Sequence, residues 1–306
     1  MATTPPLSQG KPTPSPTLKA VDRAPLTPPP EPATDSSTVG LCIAHYNEDL
    51  TWLQPFASNT VVYSKGPKAP SPRTFSRTVP LPNIGRETHT YLTHITQNYA
   101  SLPPVTLFLQ GDIHSVNEGT PAHTDLTLSE LVSQAAELAP GAVLPIGLLH
   151  KFSSWDAIPY KPDWVRRRGA TLVRSKYTPG QFWTDVLFPQ SKLSSSTSSS
   201  ISGSDSSSAD SAAIPDSVTE DSRASSTSSP AQPASASATG GLPQEVRFVQ
   251  GACFAVTREA IHRRPHEWWE RMLKWFKELN EMNPEEGHYM ERFWWAVFDE
   301  EVAVLR

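Results

Sequence analysis

Asp112 and His114 stand two residues apart just beyond an apolar run, VTLFLQ, that Gly111 terminates. A carboxylate and an imidazole at that spacing, at the carboxyl end of a buried strand, are donors that suit a divalent metal beside a phosphorylated substrate. Near the C-terminus His288, Glu291 and Trp295 recur at the i, i+3 and i+7 spacing of one helix face. That spacing also describes a solvated amphipathic face, and strand ends are polar in any fold. Convergence of these residues is what would distinguish a site from a set of loops.

The elements needed to bring them together can be read in order. Residues 39–44 (VGLCIA) form a short continuous apolar run, the pattern of a strand covered on both faces. It ends in the polar cluster His45, Tyr46, Asn47, Glu48 and Asp49. Leu50, Trp52, Leu53 and Phe56 suggest a short helix stopped near Pro55, and residues 60–63 a second strand closed by Lys65, Gly66 and Pro67. After a proline-rich loop over 67–82, Asn83 is placed to cap a helix over 84–99. Its apolar face is Ile84, Tyr91, Leu92 and Ile95, with Arg86 and Glu87 in the first turn. The third strand is 105–110. Strand, helix, strand, helix, strand predicts a mostly parallel, doubly wound α/β sheet, in which the loops after the three strands meet along one edge.

The second half is less regular. Thr127 and Glu130 make a capping box for a helix to about 138. Residues 142–190 are rich in Trp, Pro and Tyr without a clear period. Residues 245–256 (EVRFVQGACFAV) read as one strand, with Gly251 marking a bulge or a close backbone approach. Thr257 caps a short helix to about 262, and Pro265 starts another with Trp268, Met272, Phe276 and Leu279 at helical spacing. Pro284 opens the last helix, whose core face is Met290, Phe293, Trp294 and Val297. The C-terminal part is therefore expected to be helical.

Composition divides the chain. Residues 1–38 hold ten of the 31 prolines and no aromatic residue, and residues 191–240 hold 21 serines and no aromatic residue. Neither stretch can bury enough apolar surface to offset the entropy of ordering, so both are expected to be disordered. A single domain over 39–190 and 241–306 is left, roughly 215 residues and enough for one substantial core. Of the formal charge of −5, the serine-rich stretch carries −3, five acids against Lys192 and Arg223. The remainder offers no basic field that would argue for nucleic acid or an anionic membrane, and Arg166 to Arg168 read as a solvated run. Cys42 and Cys253 sit inside apolar runs, which favours buried thiols over a disulfide. No apolar leader segment and no 18-residue apolar stretch is seen, so a cytoplasmic location without a membrane segment is expected.

The segments VTLFLQGD, NIGRETHTYLTHI, FVQGACFAVTRE and GHYMERFWWAVF together resemble an uncharacterised fungal family, domain of unknown function 3431, with its FLQGD strand, GRE helix and QGA strand. That family distantly resembles GT-A type glycosyltransferases. The resemblance implies a GT-A/Rossmann-like fold, a nucleotide-sugar donor, a sugar or protein acceptor, and a divalent metal, Mn or Mg. The D-x-D position of such enzymes falls on Gln110-Gly111-Asp112, which lacks the first acid, or on Asp112-Ile113-His114. Asp112 is then the metal ligand, with His114 a weaker one. Tyr46, Asn47, Glu48 and Asp49 take the place that holds base and ribose, and Arg86 becomes a diphosphate or donor contact. Glu291 is the candidate base for the acceptor hydroxyl, with His288 as a further metal ligand or orienting group.

Two other functions stay open. A non-catalytic GT-A-like binding protein accounts for the missing first acid. A metal-dependent hydrolase draws on nine histidines but finds no clustered ligand set. The acids flanking serines at Ser204-Asp205 and Asp216-Ser217 suggest a phosphorylation platform.

Overall fold

The computed structural model describes residues 38–116, 122–168, 171–189, 242–243 and 245–298. The proline-rich tail up to residue 37 and the serine-rich stretch, with the phosphorylation idea, lie outside them. Three strands appear where the apolar runs predicted them: β1 (Val39–His45), β2 (Thr60–Ser64) and β4 (Val105–Gln110). Between β2 and β4 lie β3 (Arg77–Pro80) and α1 (Arg86–Asn98). Then come α2 (Leu128–Ala136), β5 (Val143–Pro145), β6 (Leu149–Phe152), α3 (Pro162–Arg168) and α4 (Pro179–Gln181), which continues as a π-helical turn over Phe182–Leu187. The chain ends its described part with β7 (Val246–Val249), β8 (Phe254–Thr257), α5 (Arg258–His262), α6 (His266–Leu279) and α7 (Glu285–Phe298).

The main sheet has the order β3-β2-β1-β4-β8-β5. β1 pairs in parallel with β2 and β4, β2 in parallel with β3, and β8 lies antiparallel to both β4 and β5. Alternate residues explain why β1 and β4 are apolar throughout. Cys42 and Phe108 point to one face, with Tyr91, Phe276, Phe293 and Trp294 from the helices; Leu41, Ile43, Leu107 and Leu109 point to the other, with Leu53, Leu131 and Ala135. Helices thus cover both faces, and each strand position adds burial worth about 2 kcal/mol for a large aliphatic side chain. Cys42 and Cys253 are free and buried, and burial pushes both thiols up.

Three sequence expectations are corrected. β3 lies inside the stretch read as loop; its burial is partial at an edge, so it shows no apolar alternation and tolerates the terminal Pro80. Residues 245–256 are two strands in different sheets. β7 pairs with β6 in a separate two-stranded sheet, and the chain turns through Gly251 (φ 92°) and Ala252 (φ 52°) before β8 enters the main sheet. Asn83 does not cap α1; Gly85, left-handed at φ 61°, occupies the capping position without a side-chain hydrogen bond. The capping box of Thr127 with Glu130 and the Thr257 cap on the Ala260 N–H are present as expected.

Candidate functional site

The sheet reverses its winding between β1 and β4: β2 and β3 extend it to one side of β1, and β4 to the other. The loops leaving the carboxyl ends of β1 and β4 therefore diverge, and the crevice between them is where open α/β sheets bind ligands. Here the loops interlock. His45, buried at the end of β1, links through Nδ1 to Ser64 Oγ at 3.0 Å and donates through Nε2 to the Glu48 carbonyl at 3.2 Å. The Glu48 carboxylate accepts from the N–H groups of Tyr46 at 2.6 Å and Asn47 at 3.1 Å. A Cβ on Gly111 would lie 2.7 Å from Glu48 Oε2, and one on Gly66 only 1.6 Å from the Tyr46 carbonyl oxygen. Those two glycines are what permit the loops after β1, β2 and β4 to touch. Trp52 closes the side, donating from Nε1 to the Gly111 carbonyl at 3.1 Å.

Asp112 projects from this junction, partly exposed. Its Oδ1 accepts from the N–H groups of His114 at 3.2 Å and Ser115 at 3.0 Å. Burial works against the charge, but the Ser115 and His114 hydrogen bonds win and hold the carboxyl below its ordinary range. His114 is exposed, edge-on to Trp52 at 5.6 Å, with Nε2 3.0 Å from the Leu126 carbonyl. Because a carbonyl only accepts, Nε2 is the donor in that contact. Tyr46 is 46 % exposed at the mouth, while Asp49 is tied to Thr51, its Oδ1 accepting from the backbone N–H at 3.0 Å and Oδ2 from the hydroxyl at 2.9 Å.

Arg86 begins α1 with a left-handed backbone, φ 51°, directly after left-handed Gly85. The turn is held by Lys65, whose Nζ donates to the carbonyls of Ile84, at 2.6 Å, and Arg86. Strain of this kind persists where surrounding structure imposes it. The Arg86 guanidinium lies 3.8 Å from Glu291 Oε2 and 3.4 Å from Glu87 Oε2, and Nη1 lies 2.8 Å from His288 Nε2. Glu291 in turn accepts from the Gly251 N–H at 2.7 Å, and Gln110 Nε2 donates to the Gly251 carbonyl at 2.6 Å. The GRE, QGD, QGA and HYMER segments are thereby one connected polar cluster.

Its electrostatics set each member's state. Burial opposes ionisation of Glu291, but the His288 hydrogen bond and the Arg86 and Arg292 guanidinium groups keep it charged, well below the usual carboxylate range. Burial raises Glu87, with Arg86 pulling the other way. Burial, aided by Arg86, lowers His288 to about 4, so the imidazole is neutral at pH 7. Lys65 is lowered by burial to about 7. His123 completes the set. Its ring lies against Gly251, where an added Cβ would meet Cε1 at 2.2 Å, and burial lowers it while Glu291 and Asp112 both pull it up. This loop imidazole is thus within electrostatic reach of the buried cluster and of the strand-end carboxylate.

The expected residues divide into two groups. Tyr46, Asn47, Glu48, Asp49, Asp112 and His114 gather at the strand edge. Arg86, His288 and Glu291 form the buried cluster, with His288 turned to Arg86, Asn283 and Glu291. A guanidinium against the imidazole is a poor neighbour for a cation, and a carboxylate held ionised by two arginines is a weak base. No group of three or more His, Cys, Asp or Glu that could hold a metal occurs among the described residues, so Asp112 and His114 offer two donors. Lys65 and Gln110 belong to the loop tips expected at the edge, whereas Glu87, His123 and Arg292 were given no part in the site by the sequence. Glu87 and Arg292 adjoin the expected Arg86 and Glu291, and His123 reaches the cluster only through the contact of its ring with Gly251.

Strand order, covered faces and this polar convergence define a mixed α/β protein with a six-stranded, mostly parallel central sheet. The chain belongs to the family described as "Protein of unknown function (DUF3431)", matched over residues 41–141 and 204–305. No curated protein and no solved structure matches it.

Proposed function

We propose that the protein is a metal-assisted, nucleotide-sugar-dependent transferase of the GT-A type, its donor lying along the edge between β1 and β4. One observation carries this reading: the loops after β1, β2 and β4 interlock at the winding reversal and leave Asp112 at the mouth. Asp112 and His114 fit a cation that takes its remaining ligands from phosphates, since Mg and Mn sites of this kind use one or two carboxylates. Bound there, Mn or Mg supplies charge to offset the leaving diphosphate. Tyr46 and Asn47 border the space for base and ribose. Arg86 and Glu291 act one step back, fixing Gly251 and Gln110. The acceptor's proton then goes to His123 Nδ1 or Nε2, an imidazole that burial keeps neutral beside Asp112.

A specific observation also favours a binding protein without catalysis. Gln110 stands where the first acid of D-x-D would be, and its amide is spent on the Gly251 carbonyl. Thermal melting with uridine and guanosine diphosphates, with and without manganese, separates these readings. A transferase is stabilised only by nucleotide and metal together, by about 3 kcal/mol at a hundredfold excess over Kd. Nucleotide stabilisation without metal that survives Asp112→Ala selects the binding protein, and no stabilisation by either nucleotide rejects both.

A further inference from the structure

Residues 160–177 carry Lys161, Arg166, Arg167, Arg168, Arg174 and Lys176 against one acid, Asp163, in a chain of formal charge −5. In sequence these are two short basic runs. In the fold they meet. The Val173 N–H donates to the Asn283 carbonyl at 3.0 Å, the Glu285 N–H donates to the Val173 carbonyl at 2.9 Å, and Asn283 Nδ2 donates to Thr171 Oγ1 at 3.1 Å. The second run is thereby fixed to the turn between α6 and α7. Helix α3 is tied to the same corner: Trp164 lies edge-on to His288 at 5.2 Å and stacks on Tyr160 at 4.8 Å, and the Arg174 guanidinium covers the Tyr160 ring at 5.1 Å.

Aliphatic side chains at this corner face water, Val165 at 41 %, Val173 at 39 % and Met282 at 48 %. Val165 precedes Arg166 and Arg167, Val173 precedes Arg174, and Met282 adjoins the Asn283 that holds Val173. Arg166 shares Asp163, and Arg174 shares Glu285 while its own side chain stays 62 % exposed. Lys161, Arg167 and Lys176 form no ion pair among the described residues, although Lys176 is near enough to Glu286 to pull its carboxyl down.

We propose that this corner docks the protein on an anionic lipid surface. Cations alone would serve any polyanion; cations alternating with exposed aliphatic tips and a half-buried Trp match an interface in which headgroups are charged and the layer beneath is apolar. A nucleic acid would leave Val165, Val173 and Met282 in water. Net charge conceals the reversal because the basic runs come together only through the α6–α7 turn. Docking of this kind is independent of what binds at the strand edge.

Flotation of the full chain with phosphatidylcholine vesicles, with and without phosphatidylserine, tests it. Binding is expected to require phosphatidylserine and to weaken with salt. K161Q/R167Q/K176Q should lower partitioning roughly a hundredfold, at about fivefold per cation, and V165S/M282S should remove binding that survives at high salt. All five side chains are exposed, so an unchanged melting temperature certifies the fold of each variant. Equal partitioning onto neutral vesicles, an unaffected triple variant, or retention on heparin without vesicle binding would each overturn the proposal.

Discussion

The Gly251 N–H donates to Glu291 Oε1 at 2.7 Å, joining the kink between β7 and β8 to a helix 40 residues further on. Because the other carboxylate oxygen of Glu291 faces Arg86, that single side chain connects the first turn of α1 to the kink. Gln110, at the end of β4, holds the same kink by its carbonyl. The strand that delivers Asp112 and the helix that carries Glu291 are thus fixed through Gly251.

Removing Glu291 should therefore destabilise the whole fold. Glu291→Ala leaves the partly buried Arg292 without its acid and Arg86 with Glu87 alone, a change that costs about 3 kcal/mol, the low end for breaking a buried pair. Glu291→Gln retains an acceptor for the Gly251 N–H and should cost less. The carboxyl is held below its unfolded value, so its contribution is present above roughly pH 4.5 and fades as pH falls. Urea denaturation from pH 7 to pH 3 should show wild type losing its advantage over Glu291→Gln only in the acid half. A constant difference across that range would contradict the ionised assignment.

Gly251→Ala should cost about 3 kcal/mol, combining a φ of 92° that L residues resist with a clash against the His123 ring. The two causes separate in a double variant. His123→Ala removes the ring, so His123→Ala/Gly251→Ala should recover roughly half of the loss while the backbone cost, about 1–2 kcal/mol, remains. Chemical denaturation of the four proteins measures the coupling, and strict additivity would mean that the ring does not rest on Gly251.

Local pattern revealed those parts of the fold whose burial follows a simple rule. β4 was legible to the residue because Val105 through Leu109 are all buried, between helices on two faces. β3 was not, since at an edge its four residues alternate in nothing. α1 shows a different failure. Its apolar stripe of Tyr91, Leu92 and Ile95 was read as the inner face, yet Thr88, His89, Thr90, Thr93 and His94 are buried too, because α6 and α7 cover the side that a two-layer protein would leave wet. For the site, the three loop tips were legible because parallel strands must bring them to one edge. Lys65 sits at one of those tips, but its hold on the strained turn at Gly85 and Arg86, like the seat of the His123 ring on the bare Cα of Gly251, is marked by nothing beside it in sequence.

Lys65 gives the fold an alkaline dependence. Burial lowers its ammonium from an ordinary 10.5 to about 7, while the unfolded chain keeps its proton to the ordinary value. Between those values the unfolded state binds more protons, so stability rises with pH through that window, by up to about 1.4 kcal/mol per unit. Lys65→Met should abolish the rise and loosen the turn at Ile84 and Arg86. Comparing the two proteins by urea denaturation at pH 7, 8 and 9 isolates Lys65 from the tyrosines, which burial pushes to still higher pH. Parallel curves would place the ammonium in solvent.

Asp112 permits the sharpest separation of structure from chemistry. Its Oδ1 organises the strand-end turn by accepting from His114 and Ser115, and an amide oxygen can do the same. Asp112→Asn should melt within about 0.5 kcal/mol of wild type, the scale of substitutions that spare packing. It should nevertheless lose manganese-dependent stabilisation by a nucleoside diphosphate, because an amide brings no charge to a cation that the phosphates also hold. Asp112→Ala should lose both turn and ligand response. If Asp112→Asn kept the full metal-dependent shift while Glu48→Gln lost it, the cation would belong to the β1 loop, where the Glu48 carboxylate lies against Gly111, and Asp112 would be a turn residue alone.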